Sequence, residues 1–275
     1  MEVTFSRAQE QRLREFGYIP SPAGIFSDSA ERDDSFRAVS AALVRRNTDR
    51  MRTLADRPVR CPAQEAASGL AELLVSQGYL EVSTPIMISS TALRRMGVDE
   101  EHPLHRQVFW LDDRRCLRPM LAPGLYTMMS RLRRSVRGPV RLFEVGPCFR
   151  KETHGNRHLE EFTMLNLVEM SPEGGAVESL RSRVGHIMAH LGMDYGWEEE
   201  RSEVYGSTYD VVVNGMEVAS GAVGPHPLDE AHDVREPWFG IGFGIERLVQ
   251  SKRGEQNIKR VGRSLVYVHG IRADM

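Results

Sequence analysis

Glycine recurs at alternate positions 240, 242 and 244 in the stretch WFGIGFGIERLV, and the pair Glu246 and Arg247 follows directly. Alternate glycines strip one face of a strand of its side chains, so a flat or bulky ligand can lie against the backbone. The helix that begins near Gly244 then presents the Arg247 guanidinium, five donors in a planar fork suited to phosphate oxygens or to stacking on a base. A chain with this segment can build a polyphosphate site; the plainer alternative is a glycine-rich strand-to-helix turn with a solvated arginine. The spacing matches neither G-x-G-x-x-G nor G-x-x-x-x-G-K-[ST], which excludes the dinucleotide and P-loop readings.

With 275 residues, 41% of them hydrophobic and 27% charged, the chain can bury a large core and carry a small helical appendage. Its 36 Lys and Arg against 38 Asp and Glu leave a net charge of −2, so any contact with nucleic acid must come from local clusters. Three exist: Arg45, Arg46, Arg50 and Arg52; Arg131, Arg133, Arg134 and Arg137; and Lys252 and Arg253 with Lys259, Arg260 and Arg263. Each can equally be a solvated helix face. Cys61, Cys116 and Cys148 are far apart and lack C-x-x-C spacing, which points to reduced thiols in a cytoplasmic protein and away from a zinc site. The start MEVTFSRAQEQ has no apolar leader core, and no run approaches the roughly 18 apolar residues of a membrane span.

The first sixty residues read as a helical appendage, Ala8 to Phe16 and Ser29 to Asp56, separated by Pro20 and Pro22. A core region, 61–275, follows. Its first helix runs from Pro62 to about Gln77 and stops at Gly78, and a strand spans Tyr79 to Thr84 before Pro85. The sequence QVFWLDDRRCLR predicts two strands around a turn at Asp112 and Asp113. Leu125, Met128, Met129 and Leu132 fall on one helical face, which by spacing alone is core. Val140 to Phe149 and Glu161 to Met170 predict a hairpin with a long polar connection, and such loops are often functional. A helix through Val177 and Leu191 ends at Gly192, and Asn214-Gly215 turns a second hairpin. Hairpins with helices between them imply an α+β fold with a mainly antiparallel sheet flanked by helices.

Where the first long strand leaves the sheet stands FRKE, with Arg150 and Glu152, and on the returning strand Phe162, Met164, Asn166 and Val168 share a face. Arg150 can neutralise an α-phosphate, Glu152 can accept a bond from an exocyclic amine, and Phe162 can stack on a base. An exposed Arg–Glu pair over an ordinary core strand remains the alternative.

The segment PIM after a helix and strand, FRKE with a downstream HLEEF, and G-x-G-x-G-x-ER resemble, in order, motifs 1, 2 and 3 of the class II aminoacyl-tRNA synthetases. LRPMLAPGLY, HLEEFTMLN, VYGSTYDV and the ending NIKR with a following RS narrow the resemblance to the pyrrolysyl-tRNA synthetase family. It spans the whole chain and is to the short forms that lack a separate amino-terminal tRNA-binding domain.

The resemblance implies ATP-dependent activation of pyrrolysine and transfer to an amber-suppressor tRNA, tRNA(Pyl), with ATP and Mg2+ as cofactors. Arg150 would meet the α-phosphate and Arg247 the γ-phosphate side, with adenine between Phe162 and Arg247 and its amine read by Glu152. His158 and Leu159 would lie at the end of the motif 2 loop and Gly244 in the ATP site. These make Arg150, Arg247, Glu152 and His158 the catalytic candidates. Glu217 and Ser220 would bind Mg2+, a reasonable set of hard ligands. Strand periodicity puts 217 and 220 on opposite faces, so a bulge near Gly221 is expected. Ala122, Leu125, Tyr126, Met129, Asn166, Val168, Tyr205, Ser220, Ala222, Trp238 and Gly240 would line the amino-acid pocket, in which Leu125 and Met129 gain a second meaning beside core. Tyr205 and Trp238 can equally be core aromatics.

Asn166 would bond the side-chain amide carbonyl of pyrrolysine, and selection mostly by size implies tolerance of other bulky lysine analogues. The chain departs from the family's usual pattern at Gly124, where Asn is familiar, and at Gly221 and Ala222. Motif 1 implies a homodimer. Rival readings are a class II synthetase or paralogous ligase for another amino acid, phenylalanine being the nearest, and a catalytically silent tRNA-binding protein of the same fold.

Overall fold

The computed structural model describes residues 3–19, 24–151, 155, 158–202 and 204–274. Two compact units emerge, Met1–Cys61 with Lys259–Met275, and Pro62–Ile258. In the first, α1 (Arg7–Glu15) opens on a capping box in which Ser6 and Gln9 each bond the other's backbone N–H. α2 (Ser29–Asp56) starts at Asp28, whose carboxylate accepts from the N–H groups of Ala30 and Glu31. Leu13, Phe16 and Leu43 pack between them, and buried Asn47 donates to the Phe16 carbonyl at 3.2 Å.

The second unit begins with α3 (Pro62–Ser76), which buries Ala63, Ala67, Leu70 and Leu74 along one face. The expected strand after it shrinks to β1 (Leu80–Glu81), because Thr84 turns its N–H and hydroxyl to the Glu144 carboxylate instead of to a ladder. Next come β2 (Met87–Ser89), α4 (Ser90–Arg95), α5 (Pro103–Gln107) and β3 (Arg115–Leu117). The turn expected at Asp112 is present, with its carboxylate accepting from the N–H groups of Arg114 and Arg115. Its first arm, however, is only a bridge between Trp110 and Cys116, since β3 pairs with β2.

There follow α6 (Ala122–Arg133), β4 (Val140–Phe149), β5 (Glu161–Met170), α7 (Ala176–Leu191), β6 (Gly196–Ser202), β7 (Gly206–Val213), β8 (Met216–Gly224), β9 (Trp238–Gly244) and α8 (Ile245–Arg253). The main sheet has seven strands in the order β1-β4-β5-β9-β8-β7-β6. Only β1 with β4 is parallel, so the architecture is the mainly antiparallel α+β one that the hairpins implied. In the main sheet the strand that escaped sequence reading is β6, whose WEEERS stretch lacks apolar alternation because it lies at the sheet's edge.

Strict alternation divides the sheet's faces. Leu165, Leu167, Phe239, Ile241 and Phe243 enter a core shared with Leu70 and Leu74 of α3, Leu180, Val184 and Ile187 of α7, and Leu248 of α8. On the opposite face Met164, Asn166 and Val168 stand beside Gly244, Gly242 and Gly240, and Leu125 and Met129 of α6 join a second core with Val168 and Trp238. The closing strands β10 (Tyr267–Val268) and β11 (Ile271–Arg272) form a small antiparallel pair in the first unit, where Arg260 donates to the Glu15 carbonyl at 3.2 Å and Arg272 pairs with Glu15.

Candidate active site

The bare face of β9 floors a cavity of about 460 Å3. Gly242 lies between Asn166 of β5 and Ser220 of β8 in one cross-sheet row. A Cβ at 242 would fall 2.6 Å from Asn166 Oδ1 and 2.8 Å from Met164 Cε, so any other residue would displace the tips of these two side chains. Arg150, His158, Leu159 and Phe162 line this cavity from the side of β4 and β5. Glu217, Ser220, Gly244 and Arg247 line it from β8, β9 and α8. Glu152 lies outside the described residues.

Arg150 Nε donates to the Pro119 carbonyl at 2.9 Å, and its guanidinium stands 5.5 Å from the centroid of the Phe162 ring. The cation facing Phe162 is thus Arg150, whereas Arg247 donates to the Glu217 backbone carbonyl at 3.2 Å and lies 3.5 Å from Glu217 Oε1. Partial desolvation raises the Glu217 pKa from its ordinary value; Arg247 opposes the shift, Asp210 adds to it, and Arg150 and His158 oppose it more weakly. The Glu217 carboxylate is therefore influenced by two guanidinium cations and an imidazole, an arrangement suited to anionic oxygens and a hard cation.

The bulge expected near Gly221 is found earlier. Val211 pairs with Ala219 and Val212 with Glu217, which leaves Val218 as the extra residue. Val218 and Ala219 are consequently both buried, and Glu217 and Ser220, three apart, both reach the cavity.

A smaller chamber of about 70 Å3 lies between α6 and the sheet. Ala122, Leu125, Tyr126 and Met129 of α6 line it, with Asn166 and Val168 of β5 and Tyr205. Ser220 and Ala222 of β8 and Trp238 and Gly240 of β9 complete the set of amino-acid candidates. Met128 and Leu132 pack against the surrounding core and line neither space. Ala122, Asn166, Tyr205, Thr208, Ser220 and Gly242 border both spaces, so the chamber abuts the larger cavity. Asn166 Oδ1 is buried there without a hydrogen-bond partner among the described residues.

Sequence reasoning gave no role to Thr208 or Arg118, although both lie inside segments it singled out, VYGSTYDV and LRPMLAPGLY. Nothing in a hydroxyl at position 208 signals a junction between two spaces. Arg118 is 3% exposed in its side chain and pairs with Glu144 at 2.7 Å, with further bonds to the Thr84 and Pro147 carbonyls at 3.0 and 2.9 Å. It fixes the segment whose Pro119 carbonyl holds Arg150. Cys116 and Cys148 are buried free thiols, pushed by burial up to about 11 and about 12, and take no part in the site.

The sequence family described as Phenylalanyl tRNA synthetase beta chain CLM domain matches residues 51–238. The lysine–tRNA ligase of Psychrobacter sp. (strain PRwf-1) is 26% identical over 216 residues, which are 74% of this chain and 40% of that protein. The chain thus matches well under half the length of that relative. Two solved structures of pyrrolysyl-tRNA synthetase from Desulfitobacterium hafniense are each 39% identical. One superposes with a TM-score of 0.91 over 100% of both chains, the other with 0.89 over 99% of this chain and 96% of that one.

Proposed function

The chain belongs to the pyrrolysyl-tRNA synthetases, and from that premise we propose that it activates pyrrolysine with ATP and transfers it to an amber-suppressor tRNA. The observation that carries this reading is the junction of the two spaces. A long side chain in the α6 chamber would hold its α-carboxylate beside Thr208 and Ser220, next to the cavity that contains Arg150 and Arg247.

In the first step a carboxylate oxygen attacks the α-phosphorus of ATP, the bond to the bridging oxygen breaks, and pyrophosphate leaves. No enzyme nucleophile is needed, so positioning and charge stabilisation carry the rate. Arg150 takes the α-phosphate and Arg247 the γ-phosphate side, His158 and Leu159 border the phosphates, Gly244 lets ATP approach the floor, and Phe162 stacks on adenine. Glu152 reads the adenine amine. In the second step a hydroxyl of the terminal tRNA ribose attacks the carbonyl carbon and AMP departs.

Glu217 and Ser220 supply two hard oxygen ligands on one face, which fits Mg2+ completed by phosphate oxygens and water. Bound there, the ion would offset phosphate charge. Asn166 bonds the side-chain amide, and the apolar walls Leu125, Met129, Val168 and Trp238 accept other bulky Nε-acyl-lysines. Exposed Val75, Leu80, Ile86 and Met87 around motif 1 support a homodimer, for which light scattering should give twice the chain mass at micromolar concentration.

ATP–pyrophosphate exchange with a panel of amino acids, followed by charging of the amber-suppressor tRNA, tests the reading. Pyrrolysine-dependent exchange is expected. Exchange driven only by phenylalanine would replace it with the phenylalanine alternative, and tRNA binding without exchange for any amino acid would leave a silent binder.

A further inference from the structure

We propose that Asp229 is a positioning residue that holds three walls of the α6 chamber in register and thereby sets which acyl chains fit. The inference rests on the reading above that this chamber receives the amino-acid side chain. Asp229 lies in the 3-10 turn Pro227–His232, is 4% exposed, and lines neither space itself. Its Oδ1 accepts from the Tyr126 hydroxyl at 3.0 Å. Its Oδ2 accepts from the Trp238 indole N–H at 2.8 Å and from the His226 backbone N–H at 2.6 Å. No cation pairs with this carboxylate among the described contacts, so three donors are its compensation for burial.

Each donor leads to a wall. Tyr126 belongs to α6 and Trp238 to β9; both line the chamber, edge to face with ring centroids 5.5 Å apart. His226 carries the tie to the third aromatic, because its Nε2 lies 2.9 Å from the Tyr205 carbonyl and its ring stands edge-on to Tyr205 at 5.5 Å. His226 Nδ1 accepts from the Leu228 N–H at 3.2 Å, which leaves Nε2 as the donor to Tyr205. Tyr126 is further backed by the His232 ring, stacked at 4.3 Å. One carboxylate thus joins a helix, a strand and the Tyr205 segment. An asparagine there keeps one oxygen and turns an NH2 group toward donors, so at least one aromatic loses its acceptor. Ring tilts of that kind matter in a pocket that selects by size, where one methylene is worth roughly 10- to 200-fold.

Exchange kinetics on Asp229→Asn, Tyr126→Phe and the double variant test this, with pyrrolysine and with lysine carrying a bulky (tert-butoxycarbonyl) or a small (acetyl) Nε group. In Asp229→Asn the amino-acid KM is expected to rise about tenfold, the order of one hydrogen bond to a charged group. The preference between bulky and small acyl groups should change, and the KM for ATP should stay within about twofold. The double variant should fall short of the sum of the two single effects, because the two residues share one bond. An unchanged amino-acid KM and preference, strict additivity, or an equal rise in the KM for ATP overturns the proposal. Should Asp229→Asn fail to fold, Tyr126→Phe, which deletes one oxygen, decides by the same readings. A wild-type protein silent with every amino acid removes the activation reading and this inference together; an active wild type with unaltered variants removes only the inference.

Discussion

Gly124 is constrained by its neighbour and not by its own backbone. A Cβ there would fall 2.3 Å from Thr84 Oγ1. That hydroxyl is bonded to Glu144 at 2.7 Å and to Arg118 at 3.1 Å, so it cannot swing away without opening a buried charge network. Gly124→Ala would gain about 1 kcal/mol of helix propensity but lose about 1–3 kcal/mol to overpacking. The unfolding midpoint in urea should therefore fall; a rise would mean that Thr84 relocates freely. Glu217 makes a pH prediction. Its pKa is raised in the folded protein, so between the ordinary carboxylate value and the folded one the native state binds more protons than the unfolded state, and stability falls as pH rises through that window. Glu217→Gln should flatten that part of the stability profile of the ligand-free protein. Side-chain exposure of 50% keeps the effect small, and an identical profile in the variant would rule out Glu217 as its source.

At the level of elements, α6 serves as both core and wall. Met129 is 1% exposed and lines the chamber, whereas Met128 is only partly buried and packs against the second core. Met129→Ala should cost about 2–4 kcal/mol and shift exchange toward larger acyl groups. Met128→Ala should cost less and leave the preference unaltered. Urea unfolding and exchange with an acyl-lysine series check both, and an equal change of preference in the two variants would dissolve the distinction. β8 carries the complementary lesson. Its bulge at Val218, not the glycine at 221, brings Glu217 and Ser220 to one cavity, and pairing with β7 creates it.

Over the whole molecule, a net charge of −2 means that tRNA would be held by local basic surface. The amino-terminal helices, the Arg131 to Arg137 stretch and the region from Lys252 to Arg263 are the candidates in the proposed transfer reaction. Affinity for the tRNA should fall linearly on a log–log plot against salt. Replacing one phosphate-contacting Arg by Gln should reduce that slope by about one. A slope unchanged by substitution throughout one cluster would exclude that cluster. Among the described residues no helix is long and apolar enough to cross a membrane.

Local chemistry decided much of this protein. The alternate glycines before Glu246 and Arg247 specify a bare strand face because glycine has no side chain wherever it is placed. The 3.6-residue spacing of Leu125 and Met129 specifies a helix face, and Asn214-Gly215 a hairpin, by backbone preference alone. The chamber candidates came from the family resemblance, and the structure brings those residues around one space. Other features arise between segments distant in the chain, and no local pattern encodes them. Arg118, Glu144 and Thr84 become one network only when β1 docks beside β4. Thr208 reaches the junction only because β7 pairs with β8, and the closing residues 259–275 join the first helices only in the folded chain. The contact of Arg150 with the Phe162 ring likewise depends on the Pro119 carbonyl, thirty-one residues before Arg150, which holds that side chain.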